Sequence, residues 1–450
     1  MKKVQIVYVP IGVGTFDQEC ANEYFSKSRD LLLSCSGDIA CPDRLLLDAI
    51  AVAGFLGDRK PDLVILQNVT FANAAYASEV LRKTDCPILL WTLREPAGCG
   101  GRLRLNALTG AFSAANAIRQ MGNRYFEHVL GNPDEAQVEA KLRAMIAAVQ
   151  LRGSLRELKI AQIGHTPQGF GFGRALDLPI LRKFGVTLES IEAREMIRRA
   201  NAVDEKALLE KREEARKRIA GLEKLPEKNV EDFVRLWCAY ASYVEESGIG
   251  AIASRCWPDF FVEYGTPVCA VLAMLNDAGI PAGCEADTYG ALSMYIAMQL
   301  TGMPAFFGDP VAIDEQKNSF TFWHCGTAAC SLARADEGAC AGVHCNRKIG
   351  PTMEFGCRPN ERATVFRVGV APNGEYRLFI LKGSILDEPK QYFGTSMVVR
   401  VDGDVSGVLK RALQDGWEPH FAVAYGDIQA DLEMLGHMLD IPVMVYSGAS

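Results

Sequence analysis

Short apolar runs that alternate with helical segments constrain the fold of the N-terminal part of the chain most strongly. The runs VQIVYVP, DLVILQNV and CPILLWTL are rich in β-branched and aromatic residues, and segments with helical periodicity such as YASEVLRKT separate them. The pattern restarts at LKIAQIGHTPQGFGFGRALDLPILRKFG and continues through GIGAIASRCWP to IPAGCE. Such alternation predicts parallel sheets covered by helices on both faces. We therefore expect two Rossmann-like α/β domains, at residues 1–155 and 156–312.

The sequence changes character after residue 312. SFTFWHC, RATVFRVGVAPNGEYRLFILKGSI and GTSMVVRVDGD are typical of strands, and PNGE between two alternating runs indicates a hairpin. The last segment returns to strand, helix and strand. We expect a β-rich, barrel-like C-terminal domain at residues 313–450.

Composition limits the partners of the chain. Its 450 residues, 49% of them hydrophobic, suffice for several cores, and a net charge of -7 argues against a surface for duplex nucleic acid. It contains no run of about 20 apolar residues that predicts a membrane span. The first residues fit a strand and turn better than a signal peptide, and without a secretory signal the 14 cysteines are interpreted as reduced thiols. These features predict a small-molecule ligand, no nucleic acid or membrane partner, and a cytoplasmic location.

Two acids flank a buried helix in GCEADTYGALSMYIAMQLTGMPAFFGDP. Asp287 or Thr288 is placed to cap the helix, with Asp287 favoured, and the helix is apolar nearly all round. Glu285 and Asp309 are then expected at the carboxyl ends of two parallel strands, where open α/β sheets bind ligands. If these strands are neighbours, their axes lie ~5 Å apart. The two carboxylates would repel one another unless a hard divalent cation lay between them.

Two of the six histidines strengthen this hypothesis. His324 in TFWHCGTA and His420 in WEPHFAVAYG each lie in or beside a strand-like run. Carboxylates and imidazoles with open coordination positions suit Mn²⁺, Fe²⁺ or Mg²⁺ better than structural zinc. Each residue alone also fits a turn, a cap or a core position, so the prediction depends on the combination.

The segments GCEADTYGA, FFGDP, FWHCGTA and PHFAV together resemble the L-fucose isomerase and L-arabinose isomerase superfamily, whose three-domain order the chain also resembles. The resemblance matches Glu285 and Asp309 to two catalytic, metal-binding acids. It matches His420 to a late histidine ligand, and His324 to the earlier histidine ligand of the arabinose branch. The second acid is an aspartate, Asp309, which resembles the fucose branch rather than the arabinose branch, where this acid is a glutamate.

The resemblance implies a metal-dependent aldose–ketose isomerase with Mn²⁺ or another divalent ion such as Mg²⁺, Fe²⁺ or Co²⁺. It also implies a homo-oligomer, a hexamer, in which subunits share active sites. The family favours proton transfer through an enediol, whereas the residues alone leave a hydride shift open. Two other functions also fit parts of the sequence: a non-catalytic sugar-binding protein and a hydrolase with two carboxylates.

Four residues are candidates for binding the substrate. Arg102 and Arg104 lie in a glycine-rich loop that could complete a neighbouring subunit's site or form a surface turn. Arg255 and Trp257 follow a strand, and Trp257 could stack on a sugar or pack in a core. Fucose, arabinose and other deoxy or pentose sugars fit this pattern. The arginines also leave room for an anionic hexose, sulfonated or phosphorylated.

Two further motifs are weaker. HTPQGFGFGR follows a strand but lacks the glycine order of a dinucleotide site, so a sugar-facing loop or a simple turn is favoured. A group of thiols and a histidine late in the chain lacks the paired C-x-x-C spacing of structural zinc sites. Its members are Cys325, Cys330, Cys340, His344, Cys345 and Cys357.

Overall fold

The computed structural model describes residues 1–98, 100–123 and 125–448. The chain divides into two compact units, residues 1–153 and 154–450. The elements of the first unit are β1 (Ile6–Ile11), α1 (Gln18–Cys35), β2 (Ile39–Ala40), α2 (Ala49–Leu56), β3 (Leu63–Asn68), α3 (Ala74–Lys83), β4 (Ile88–Thr92), α4 (Ala107–Gln120), β5 (Phe126–Leu130) and α5 (Ala136–Leu155).

The first unit is a parallel α/β sheet, as predicted. Its strand order is β2-β1-β3-β4-β5, and every neighbouring pair is parallel. All residues of β1, β3 and β4 are buried, which explains why these strands read as continuous apolar runs rather than as alternating ones. Val9, Val64, Leu90 and Ile118 belong to the core cluster of this unit.

The second unit continues the alternation and then becomes β-rich. Its elements are β6 (Lys159–Ile163), α6 (Asp177–Phe184), β7 (Thr187–Ile191), α7 (Ala193–Asn201), α8 (Glu205–Arg218), α9 (Glu227–Ser247), β8 (Ala251–Ser254), α10 (Cys269–Asp277), β9 (Ala282–Cys284), α11 (Thr288–Thr301), β10 (Phe306–Asp314), β11 (Ser319–His324), β12 (Ala341–Gly342), β13 (Thr352–Met353), β14 (Phe355–Gly356), β15 (Asn360–Val370), β16 (Tyr376–Ile385), β17 (Thr395–Val401), α12 (Val405–Gln414), β18 (Phe421–Ala424), α13 (Gln429–Leu439) and β19 (Val443–Val445).

The β-rich part closes into a barrel. Strands β17, β11, β10, β18, β15 and β16 pair in that order, and β16 pairs again with β17 to complete the ring. The predicted hairpin is present: β15 and β16 are antiparallel, and the Ala371 N–H donates to Glu375 O at 2.8 Å across their turn. The barrel-like fold class is thereby confirmed.

A second parallel sheet, in the order β7-β6-β8-β9, precedes the barrel. Helix α11 packs between the two, against β8 and β9 on one side and against β15 and β18 on the other. This position explains its apolar circumference, because a helix held between two sheets has no face in water. Asp287 caps its N-terminus by accepting the Gly290 N–H at 2.8 Å, and Gly302 ends it with φ +68°.

The expected placement of Asp309 in the parallel sheet is wrong. Strand β10 pairs antiparallel with β11 and β18 in the barrel and does not extend the parallel sheet beside β9. An apolar helix fits equally well against either sheet, so its sequence did not reveal which sheet the next strand joins. The division of the second unit at residue 312 stays a prediction. Among the described residues, no helix combines the length and apolar character needed to cross a membrane.

Candidate active site

Glu285 lies directly after β9, at the carboxyl edge of the parallel sheet. Glu285 and Ala286 have φ of +59° and +55°, which is uncommon for residues other than glycine and costs on the order of 1–3 kcal/mol each. The Asp287 N–H closes this turn by donating to Cys284 O at 3.1 Å. The strained turn lets the chain present Glu285 and begin α11 within a few residues.

Asp309 and His420 are brought together by neighbouring strands. Gly308 in β10 is paired with Phe421 in β18, so the residues next to this pair, Asp309 and His420, lie side by side. His420 Nε2 is 3.0 Å from Glu285 Oε2 and 3.5 Å from Asp309 Oδ1. His324, the last residue of β11, brings its Nε2 to 3.8 Å from Glu285 Oε2. The structure therefore brings Glu285, His324 and His420 together and places Asp309 beside His420.

The site has buried imidazoles and partly accessible carboxylates. The side chains of His324 and His420 are 3% and 1% exposed, whereas those of Glu285 and Asp309 are 24% and 29% exposed. The ring of Phe307 packs between the two histidines, with centroid distances of 5.3 and 4.8 Å. The carboxylates are thus partly exposed, whereas the imidazole rings are buried against Phe307.

These residues fit a hard divalent cation. Oxygen and nitrogen ligands about 2.1 Å from such an ion lie about 3 to 4 Å apart, as the three contacts above do. The candidate ligand atoms of Glu285, His324 and His420 all lie within 4.8 Å of one another. Glu285 Oε2 is buried and has no hydrogen bond of acceptable geometry within the described part of the chain, despite its short distance to His420. A cation would satisfy this oxygen.

The two carboxyl groups differ in proton affinity. Burial raises the pKa of Glu285, but the contacts with His324 and His420 outweigh it and lower that pKa to about 2. Burial raises the pKa of Asp309 above its ordinary value, and the histidines offset this effect only in part. A pair of carboxyl groups with separated pKa values suits one group to accept a proton and the other to donate one.

A buried ion-pair network behind His420 is a feature that the sequence did not reveal. His420 Nδ1 lies 2.9 Å from Asp287 Oδ2, and Arg367 Nη1 donates to the same oxygen at 2.9 Å and to His420 O at 2.7 Å. The Arg367 side chain is 0% exposed, and its Nε is 3.7 Å from Glu418. Asp287 thus orients the imidazole in addition to capping α11, as carboxylates commonly do behind histidine ligands. The one available signal was an arginine within the apolar run RATVFRVGV.

The glycine-rich loop after β6 reaches the same site. Phe172 packs edge-on against the His420 ring at 5.3 Å, and Phe170 lies 6.0 Å from it. A Cβ on Gly173 would come within 2.8 Å of Asp287 Cα, so only glycine permits this close approach. The segment HTPQGFGFGR therefore lies at the candidate active site, and its contact with a sugar stays a prediction.

Arg255 and Trp257 contact one another beyond β8. Arg255 Nε donates to Trp257 O at 3.0 Å and lies 2.8 Å from Asp259 Oδ2. Trp257 is 43% exposed, and the Arg347 guanidinium lies 4.9 Å from its ring centroid. Trp257 is therefore not a core residue. Binding of a sugar by Arg255 and Trp257 stays a prediction.

Arg102 and Arg104 lie in the first unit and bind its own loops. Arg102 Nη2 donates to Thr15 O at 2.6 Å, and Arg104 Nε is 2.8 Å from Asp17 Oδ2. These contacts hold the loop before α4 against the loop before α1. Their role toward a substrate stays a prediction.

Comparison with known proteins identifies relatives over the whole chain. Residues 343–447 match the L-fucose isomerase C-terminal domain. The chain is 56% identical to a sulfoquinovose isomerase of Clostridium sp. (strain MSTE9), over 99% of this chain and 100% of that protein. It is 38% identical to a sulfoquinovose isomerase of Priestia aryabhattai, with the same coverage. A third, from Alkalicoccus urumqiensis, is 34% identical over 98% of each chain.

Fold, site and relatives together define an aldose–ketose isomerase. The chain belongs to the L-fucose isomerase-like family, as the resemblance of its motifs predicted.

Proposed function

We propose that this isomerase converts sulfoquinovose, a hexose with a sulfonate on carbon 6, into the corresponding 2-ketose with the help of a divalent cation. One structural observation carries the proposal: His420 lies 3.0 Å from Glu285 and 3.5 Å from Asp309, so segments far apart in the chain form one site. The choice of sugar is supported by the names of the relatives, which align over nearly the whole chain.

Glu285, Asp309, His420 and His324 would hold the cation. Two carboxylates and two imidazoles suit Mn²⁺, with Mg²⁺, Fe²⁺ and Co²⁺ as alternatives. When bound, the ion would supply a Lewis acid that polarises the sugar carbonyl.

Glu285 and Asp309 would carry the protons. The bond between carbon 2 and its hydrogen breaks, and the proton passes to the Glu285 carboxylate, while Asp309 gives its proton to oxygen 1. In the second half, Asp309 takes the proton from oxygen 2, and Glu285 returns its proton to carbon 1. The carboxyl groups end as they began, and positioned groups of this kind supply about 10² to 10⁴ in rate.

We propose that the sulfonate is bound by arginine and that the sugar ring stacks on an exposed aromatic. Arg255 and Trp257 are the candidates in the second unit, and Arg102 and Arg104 are those in the first. A planar guanidinium can donate two parallel hydrogen bonds to an oxyanion. A neutral hexose has no such oxyanion, so the arginine would favour the sulfonated sugar.

We further propose a cytoplasmic homo-oligomer, a hexamer, in which neighbouring subunits complete one another's sites. Light scattering of the purified protein measures its mass in solution. A monomer with full activity would refute both the assembly and the shared site.

The substrate and the mechanism are tested by one assay. The purified protein is treated with EDTA, resupplied with Mn²⁺, and given sulfoquinovose, glucose, L-fucose and L-arabinose. We expect the EDTA-treated protein to form ketose from sulfoquinovose only after Mn²⁺ is added. We expect much less ketose from glucose, which lacks the sulfonate. Full turnover by the metal-free protein would exclude the metal-assisted mechanism. In deuterated water, an enediol route puts deuterium on carbon 1 of the ketose, whereas a hydride shift leaves that carbon unlabelled.

The matched variant is Glu285→Gln. The amide is nearly isosteric with the carboxyl group but does not accept a proton at neutral pH, so we expect turnover to fall by at least about 10². Circular dichroism and the thermal midpoint check that the fold is retained. Activity near that of the wild type would remove Glu285 from the proposed role.

A further inference from the structure

A cluster of buried thiols lies behind the candidate active site. Cys269 begins α10, Cys284 ends β9, and Cys325 directly follows β11. All three are buried, at 0%, 0% and 7% exposure. The ligand atoms of Cys284, Cys325 and His324 all lie within 4.8 Å of one another. Three separate segments thus converge on one group of sulfur atoms.

His344 brings an imidazole to this cluster. The candidate ligand atoms of Cys269, Cys325 and His344 all lie within 4.8 Å of one another, and each residue is buried. This set shares no residue with the four proposed ligands of the catalytic cation. It shares Cys325 and His344 with the late group of thiols and histidine in the sequence, but Cys269 comes from a distant segment.

We propose that Cys269, Cys325 and His344 form a second metal site, specific for zinc or another thiophilic divalent cation. The distance between the sulfur atoms carries the proposal. Two thiolates each about 2.3 Å from a tetrahedral zinc lie about 3.8 Å apart, and Cys269 Sγ and Cys325 Sγ are 3.6 Å apart. A disulfide would need about 2.05 Å, so the two sulfur atoms are not bonded, and their separation is compatible with two ligands of one cation.

The ligand types determine which cation is bound. Thiolates and imidazole favour zinc, whereas carboxylate-rich sites favour Mn²⁺ and Mg²⁺. His344 Nδ1 accepts the Asn346 N–H at 3.3 Å. The two thiol protons would pass to the buffer on binding.

The proposed second metal site lies next to the candidate active site. Cys325 Sγ lies 3.3 Å from His324 Nδ1. A cation on Cys325 would therefore lie directly behind one of the imidazoles of the catalytic site and would link α10 and the segment of His344 to the barrel strand β11.

The test measures metal content and spectra, so it does not depend on turnover of any sugar. The full-length protein, under reducing conditions and with excess Mg²⁺, is titrated with ZnCl₂ or CoCl₂, then desalted and analysed for metal. We expect the wild type to retain one more equivalent of zinc than Cys269→Ser does. We also expect Co²⁺ to give a thiolate-to-cobalt charge-transfer band in the wild type.

Matched variants separate the two sites. Cys357→Ser removes a buried thiol outside the cluster and should keep the band, as should Glu285→Gln, which alters only the catalytic set. Loss of a ligand should weaken zinc binding by at least about 100-fold, since loss of groups that merely support ligands costs 10- to 100-fold. His344→Gln is a second ligand variant in case Cys269→Ser unfolds.

Two outcomes would overturn the proposal. One is equal zinc content and an unchanged cobalt band in the folded Cys269→Ser and His344→Gln variants. The other is the absence of any thiolate band in the cobalt-loaded wild type. A failure of sulfoquinovose turnover would leave this result intact, so the two proposals fail separately.

Discussion

At the scale of single residues, Asp287 has two roles. Its carboxylate caps α11 through the Gly290 N–H and also faces His420 Nδ1 and Arg367. Burial alone would raise the pKa of Asp287, but Arg367 and His420 hold it well below its usual range. The sequence indicated the cap, because aspartate before an apolar helix is a local signal. The second role depends on residues far along the chain.

The first prediction concerns Asp287→Asn. Asparagine still caps a helix, but it removes the charge that faces both the imidazole and the buried guanidinium. We expect the affinity for the catalytic cation to fall about 10- to 100-fold and the unfolding free energy to fall by roughly 3 kcal/mol, because Arg367 loses its partner. Calorimetric metal titration and denaturant unfolding measure the two effects.

The matched control is Asp404→Asn. Asp404 caps α12 by accepting the Gly407 N–H, and no histidine ligand depends on it. We expect unchanged metal affinity in this variant. If both variants bound the cation as the wild type does, the orienting role of Asp287 would be refuted.

At the scale of elements, the loop after β6 is held close to the start of α11. The backbone of Gly173 and that of Asp287 approach too closely for a side chain, because a methyl group on Gly173 would lie 2.8 Å from Asp287 Cα. The loop carries Phe172, whose ring packs on His420. The loop, the cap and the imidazole are therefore packed directly against one another.

The second prediction is that Gly173→Ala displaces this loop. We expect overpacking to cost about 1–3 kcal/mol, and kcat/KM to fall by up to about 10², because small displacements of orienting groups are costly. Gly171→Ala, in the same loop, is the control, since a methyl group there meets nothing within 4 Å. Equal kinetics of the two variants would contradict the prediction.

The third prediction concerns the start of helix α13. Burial, with repulsion from Asp427, raises the pKa of Asp431 to about 6. Because the folded-state pKa is above the unfolded one, the folded state binds this proton more tightly, and its stability falls as pH rises from about 4 to 6. The Asp431→Asn variant has no carboxyl group to titrate at this position, so its stability does not fall in this way as pH rises. We expect the variant to gain about 1 kcal/mol over the wild type at pH 7, after allowance for solvent screening, and little at pH 4.5.

Thermal midpoints at both pH values measure this difference. Glu433→Gln, on the same helix, is the control for the loss of a carboxyl group. A gain that is equal at both pH values would show that the effect does not come from the titration of Asp431.

At the scale of the whole molecule, the candidate active site links parts of the second unit that are distant in sequence. Glu285 follows the parallel sheet, whereas Asp309, His324 and His420 belong to or adjoin barrel strands. A cation bound to all four would hold the sheet and the barrel together. Binding to the folded state alone stabilises it in proportion to the logarithm of the free ligand concentration.

The fourth prediction is metal-dependent stability. With Mn²⁺ at about 100 times its dissociation constant, we expect the unfolding free energy of the second unit to rise by about 2.7 kcal/mol, and its thermal midpoint to rise by several degrees. Scanning calorimetry with EDTA and with Mn²⁺ measures the change. Glu285→Gln should show a much smaller rise, and an equal rise in that variant would place the stabilising ion elsewhere.

The sequence by itself determined the fold class, the helix between the two acids and the family. These features depend on local periodicity, on caps such as Asp287 and Gly302, and on short motifs that resemble those of the family. Neighbouring residues suffice to specify them.

The tertiary structure alone decided that Asp309 lies in the barrel, that Arg367 holds Asp287, and that Cys269 meets Cys325 and His344. Each depends on pairing between segments separated by many residues. The sequence of an apolar helix or strand does not specify which element it packs against, because burial of apolar surface is favourable against any sheet of matching shape. The geometry of the site is therefore a property of the folded chain.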